Sequence, residues 1–223
     1  SMAVGDFRKL VRLFANSSSG GMSQVRSKHI SRIIDEEGVA EGLMRVVIHM
    51  ANGRLPDWLQ PYWTIQRLVP IGKMERPVCM GEYVARLTAQ VAMWEVDKEK
   101  VRKFFVERAG TTPIMQVGTS IKSGAEALAH ALDAYVHEVG KHRIAAKDDA
   151  VNAYPSQDRV PAINEAVEVF PTLHRWLFWA YGRSSMCVLA GGHVVWCHTG
   201  SMQGDPCGGI IFDSGFQRVL LAA

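Results

Sequence analysis

Long apolar runs are what this 223-residue chain most plainly lacks. None approaches the roughly 18 residues that mark a membrane-crossing helix, and no secretory hydrophobic region opens the sequence. A non-membrane, intracellular protein is therefore expected. Cysteine is scarce as well: Cys79, Cys187, Cys197 and Cys207 include no C-x-x-C pair. That excludes the common zinc ribbon and the thioredoxin-type redox motif, and it fits a reduced compartment. Cys187, Cys197 and Cys207, with His193 and His198 nearby, invite a zinc reading, but a spacing of ten fits no common knuckle. Core cysteines are the expectation.

Charge is also in short supply. With 25 Lys and Arg against 22 Asp and Glu, the net charge of +3 cannot by itself argue a nucleic-acid partner. Its distribution is uneven. Residues 1–110 carry 17 basic and 12 acidic side chains, and residues 111–223 carry 8 and 10. A basic first half and an acidic second half would suit phosphate contacts on one side and metal carboxylates on the other. A chance fluctuation on a solvated surface is the competing explanation. Low-complexity sequence is confined to residues 16–22, which read as a flexible loop, and no internal repeat is present.

What is there is a hydrophobic fraction of 48%, enough for a real core in one large domain or two small subdomains. Leu43, Val46, Val47 and Met50 form a helical stripe that stops near Asn52-Gly53. Residues 64–71 alternate as a strand, and 82–107 read as helical with the charged stretch 97–103 facing water. Ser123-x-x-Glu126 has the form of a capping box ahead of Leu128, Leu132, Tyr135 and Val136, which is the clearest helix signal in the chain. Residues 143–148 are a strand candidate. Helices are expected over 161–170 and 172–181. Strands 185–190 and 193–199 are joined by Gly191-Gly192, a two-residue hairpin signal, and a helix is expected from Gly208. The order is α+β, with helices dominating the first half.

Two motifs carry chemistry. In Lys147-Asp148-Asp149-Ala150-Val151-Asn152-Ala153-Tyr154, a carboxylate at a strand end is followed five residues later by an aromatic ring. The acid suits Mg²⁺, which prefers oxygen ligands and bridges substrate phosphates, and the ring can exclude a 2′-hydroxyl by volume. An exposed Asp-Asp turn is the bland alternative. In Gly200-Ser201-Met202-Gln203-Gly204-Asp205-Pro206, glycine allows close backbone approach to a nucleotide and Gln203 can contact its sugar or base. The same run also reads as a helix start, with Asp205 as N-cap and Pro206 as first helical residue. Around Pro56 and Pro61, Trp58, Tyr62 and Trp63 could stack on bases, though packing against proline is the first expectation.

Taken in order, these segments resemble the reverse transcriptase domain of non-LTR retroelements. The resemblance extends from about Met22 to Gln217 and includes Arg67 to Lys73, Arg76-Pro77-Val78, Gly81-Glu82 and Tyr181-Gly182. It implies the fingers (1–140) and a partial palm (141–223) of a right-hand polymerase. By resemblance, Asp149 is the catalytic, Mg²⁺-binding acid, and Lys73, Arg76, Tyr154, Gln203 and Gly204 contact the nucleotide. Only Met74-Glu75 separate Lys73 from Arg76-Pro77, where the family has a longer hairpin. The family's next motif, Tyr/Ala-x-Asp-Asp, is absent from residues 207–223. An RNA-directed DNA polymerase piece, inactive alone, is therefore expected, binding primer–template weakly and without sequence preference. The alternative is a domesticated, non-catalytic remnant that binds nucleic acid or a protein. A homo-oligomer, or a missing polymerase portion, is the further expected partner.

Overall fold

The computed structural model describes residues 2–14, 19–71, 76–106, 116–118, 122–138, 140, 142, 152–202 and 204–222, with backbone alone at 71, 76, 77 and 222. Asp149, Lys73 and Gln203, together with the strand candidate at 143–148, lie outside the described residues.

Helices come first in the chain. They are α1 (Val4–Leu13), α2 (Ser27–Ser31), α3 (Val39–Ala51) and α4 (Gln60–Trp63). An antiparallel pair, β1 (Gln66–Ile71) and β2 (Arg76–Gly81), follows. Then come α5 (Tyr83–Trp94), α6 (Lys98–Val106), α7 (Gly124–Val136), α8 (Ala153–Ser156), α9 (Arg159–Val169) and α10 (His174–Tyr181). The antiparallel hairpin β3 (Ser185–Val188) and β4 (Val194–Cys197) precedes the last helix, α11 (Gly208–Ala222). The class is α+β, as expected. The single helix expected over 82–107 is broken after Trp94, and Asp97 caps the new start by accepting from the amides of Glu99 and Lys100.

One mixed sheet of order β2-β1-β3-β4 joins the two halves of the chain. Its central link is parallel, Gln66 opposite Cys187 and Arg67 opposite Val188. Strands on either side of residue 140 therefore share one hydrogen-bonded body. The larger apolar core also draws on both halves, packing Met50, Ala89 and Phe105 with Trp176, Leu177, Ile210 and Ile211. A smaller cluster, Phe7, Leu10, Val47, Tyr83 and Leu87, seals α1 and α3 onto α5. Gly215 sets the α9–α11 crossing, since a Cβ there would stand 2.9 Å from that of Ala162.

Several expectations need correction. Ser123 does not close a capping box. It sits in the left-handed region at φ 55°, its side chain caps nothing, and a cap of this kind needs an extended residue. The helix itself forms as expected, and Leu128, Leu132, Tyr135 and Val136 on it are all exposed. The hairpin loop has three residues rather than two, because Leu189 donates to the His193 carbonyl and leaves Ala190, Gly191 and Gly192 outside the ladder. Part of the stretch read as a flexible loop is packed: Gly20 and Gly21 are buried, and the Ser23 amide donates to Glu82 at the head of α5. Trp58 and Tyr62 stand largely in solvent instead of packing on proline, whereas Trp63 lies against the core. The last helix starts at Gly208, two residues after Pro206.

Candidate nucleotide site

Tyr154 lies in the one-turn helix α8, entered through Asn152 at φ 52°, a conformation that Asn tolerates better than most residues. Its backbone is tied to the glycine-rich run 46 residues downstream by sequence number. The Ser201 amide donates to the Tyr154 carbonyl at 3.0 Å, and the Gly200 amide donates to Gln157 at 2.7 Å. The Thr199 hydroxyl donates to the Pro155 carbonyl at 2.8 Å. Gly200 is at φ 64°, and a Cβ there would lie 2.1 Å from the Tyr154 carbonyl oxygen. No other residue type fits this contact.

The Tyr154 ring is half-buried and stacks on Phe212 of α11, with centroids 4.9 Å apart, and Phe212 stacks in turn on Phe216 at 5.9 Å. Burial, reinforced by the charge of Asp213, raises the phenol pKa. Asp213 is itself pushed up to about 6 by burial. Gly204 is exposed at φ 89°, and a Cβ on it would make ordinary contact with the Cys79 carbonyl of β2 at 3.9 Å. Arg76 begins the same strand. Of the described members of the expected site, Tyr154 is joined to Ser201, and Gly204 lies beside β2, the strand that Arg76 begins.

Asp205 is not the N-cap expected of it, because α11 begins at Gly208; it forms the turn that leads into that helix. It accepts from the Cys207 amide at 2.7 Å. Burial raises its pKa to about 6, against the lowering effect of that amide, of the Tyr181 hydroxyl and of Arg86. A carboxylate enclosed in this way does not fit a Mg²⁺ ligand, because the ion keeps several waters and needs open oxygen. Asp213, half-buried with its charge acting on the Tyr154 phenol, fits no better. Among the described residues no group of three His, Cys, Asp or Glu is arranged to hold a metal ion. Arg86 is not part of an open basic surface. It turns inward, donates to the Ser19 carbonyl at 2.7 Å and faces Asp205.

One residue important to this site was not visible in the sequence. Arg159, first in α9 and buried, donates to the carbonyls of Gly200 (2.8 Å), Thr199 (2.9 Å) and Arg183 (3.2 Å). Its guanidinium also lies over the Tyr181 ring, 5.6 Å from the centroid. A planar fork of five donors is what three diverging carbonyls need. Its only sequence signal is a basic residue at a helix N-terminus, where the macrodipole disfavours positive charge. No known protein family's sequence profile matches the chain, and no curated protein matches it.

Proposed function

We propose that this chain carries the fingers and partial palm of a reverse transcriptase-like polymerase, an RNA-directed DNA polymerase piece that is inactive by itself. The observation that carries the reading is the backbone union of Tyr154 with Gly200 and Ser201. Two segments matched independently to the nucleotide floor of that family meet in space, and tight hydrogen bonds hold them there. Gly204 beside the strand that Arg76 begins adds the fingers to the same neighbourhood.

In this reading Tyr154 lies under the sugar, Gln203 and Gly204 line the base, and Lys73 and Arg76 reach the triphosphate. Asp149 would hold Mg²⁺ together with phosphate oxygens once further acids are supplied, and the ion would then provide Lewis-acid chemistry; no ordered ion is expected on this chain alone. Asp205 and Asp213 are committed elsewhere, so the chain alone extends no primer. A specific observation favours a second reading, a non-catalytic remnant with a protein partner: the apolar stripe of α7 stands in solvent.

The test is a titration of labelled primer–template at two salt concentrations, with wild type and the Lys73→Ala/Arg76→Ala double variant. Weak binding that falls steeply with salt and is reduced in the variant supports the polymerase reading, since phosphate contacts release counterions. Affinity independent of both sinks it. Primer extension with Mg²⁺ or Mn²⁺ should show no product. Extension abolished by Asp149→Ala would show that the missing acids come from elsewhere in the chain.

A further inference from the structure

Three cysteines from three strands meet on one face of the sheet. Cys187 Sγ lies 3.0 Å from Cys197 Sγ and 3.6 Å from Cys79 Sγ. Cys207 is not part of this group; it is buried in the core beside α5, its thiol directed at the Ala89 carbonyl. Cys187 is buried, whereas Cys197 is partly open to solvent. Cys187 lies within hydrogen-bond reach of the Cys197 sulfur, and the Arg159 guanidinium brings positive charge close to it. Together these lower the Cys197 pKa and push that of Cys187 up. An accessible, electropositive thiolate beside a second thiol is the arrangement of a reactive cysteine with a resolving partner.

We propose that Cys197 and Cys187 form a reversible thiol–disulfide exchange site whose substrate is a small disulfide such as oxidised glutathione. The Cys197 thiolate attacks one sulfur of that disulfide, forming a mixed disulfide and expelling one thiolate. Cys187 then attacks Cys197 Sγ, loses its proton to the departing sulfur, and closes the Cys187–Cys197 bond as the second thiol leaves. The two cysteines give up two electrons and the small disulfide takes them.

Strand geometry selects the pair. Cys187 faces Val195 and Ser185 faces Cys197, so the two cysteines are diagonal neighbours on adjacent strands. Diagonal positions are roughly 7 Å apart, at the outer limit of disulfide reach. Closing the bond draws in β4, a four-residue strand at the sheet edge among the described residues. Cys79 sits on β2, across β1 from Cys187, about two strand spacings or roughly 9.5 Å away in the backbone. It cannot bridge without rebuilding the sheet, and its sulfur lies in contact with that of Cys187. The site stands apart from the polymerase reading: failed primer–template binding leaves it intact.

The reduced full-length chain is first treated with limiting iodoacetamide at neutral pH and mapped by mass spectrometry, which needs no variant. Cys197 should be labelled at least tenfold faster than Cys79 or Cys187. Oxidised glutathione should then remove two hydrogens, located by fragmentation between Cys187 and Cys197. With Cys187→Ser the glutathione adduct should persist on Cys197, and Cys197→Ser should abolish the linkage. Equal labelling of the cysteines, a linkage through Cys79, or no adduct on the Cys187→Ser chain would overturn the proposal. So would Zn²⁺ shielding Cys79, Cys187 and Cys197 together while oxidised glutathione links nothing, which would make the trio a metal centre.

Discussion

Asp213 and Asp205 are acids whose protonated form the fold prefers. Each has its pKa raised from 3.8 to about 6, chiefly by burial. Between those values the native chain keeps a proton that the unfolded chain has already lost. Stability is therefore full below the unfolded value, falls as pH rises toward about 6, and is flat above it. Replacing Asp213 by Asn removes one of the two contributions. Thermal unfolding of Asp213→Asn should show about half the wild-type slope between pH 4 and 6 and a gain at pH 7 of at most about 3 kcal/mol. An unchanged slope would mean that Asp213 titrates in the native chain as it does unfolded. The same substitution leaves the Gln116 contact to the residue 213 carbonyl in place, because that bond is to the backbone.

At the scale of elements, the α9–α11 crossing is the most tightly specified packing. Gly215 would bring a Cβ to 2.6 Å from Gln157 Nε2, 2.9 Å from Ala162 Cβ and 3.1 Å from Ala162 Cα. The glutamine tip can move, but the Ala162 atoms belong to the facing helix and cannot. Two effects oppose each other in Gly215→Ala. Helix propensity gains about 1 kcal/mol. Overpacking costs roughly 1–3 kcal/mol. The clash wins because two of the three contacts are with helix α9 itself. Urea unfolding should show a net loss on the order of 1 kcal/mol. A stabilised variant would mean that the helices separate freely. Helix α7 is the opposite case, a periodic apolar stripe whose side chains are exposed.

For the whole molecule, the expected homo-oligomer becomes a prediction about α11, which carries exposed apolar side chains. Phe212 is taken up by the stack with Tyr154 and Phe216, while Phe216, Val219 and Leu221 remain open to solvent. Large apolar surfaces of this kind invite association. Light scattering at rising concentration should give a dimer or larger species, and Phe216→Glu should shift it to monomer without unfolding. A monomer at high concentration would remove the oligomer from the account.

The sequence alone determined what depends on near neighbours. Helical stripes over α3 and α9, the hairpin around Gly191-Gly192 and the turn at Asp205 each rest on residues within a turn or two of one another. Interactions of that range are written into any short window. Tertiary structure decided the rest, because burial depends on what other segments cover. The Leu128–Val136 stripe has the same period as a core helix, yet its apolar side chains are exposed. The sheet pairs β1 with β3 across more than a hundred positions, and only that pairing brings Cys79 to Cys187 and Cys197. Arg159 acquires its role when folding brings three carbonyls, 24 to 41 residues away, within reach of one guanidinium. No local pattern encodes those distances, since the partners share a neighbourhood only after the chain has folded.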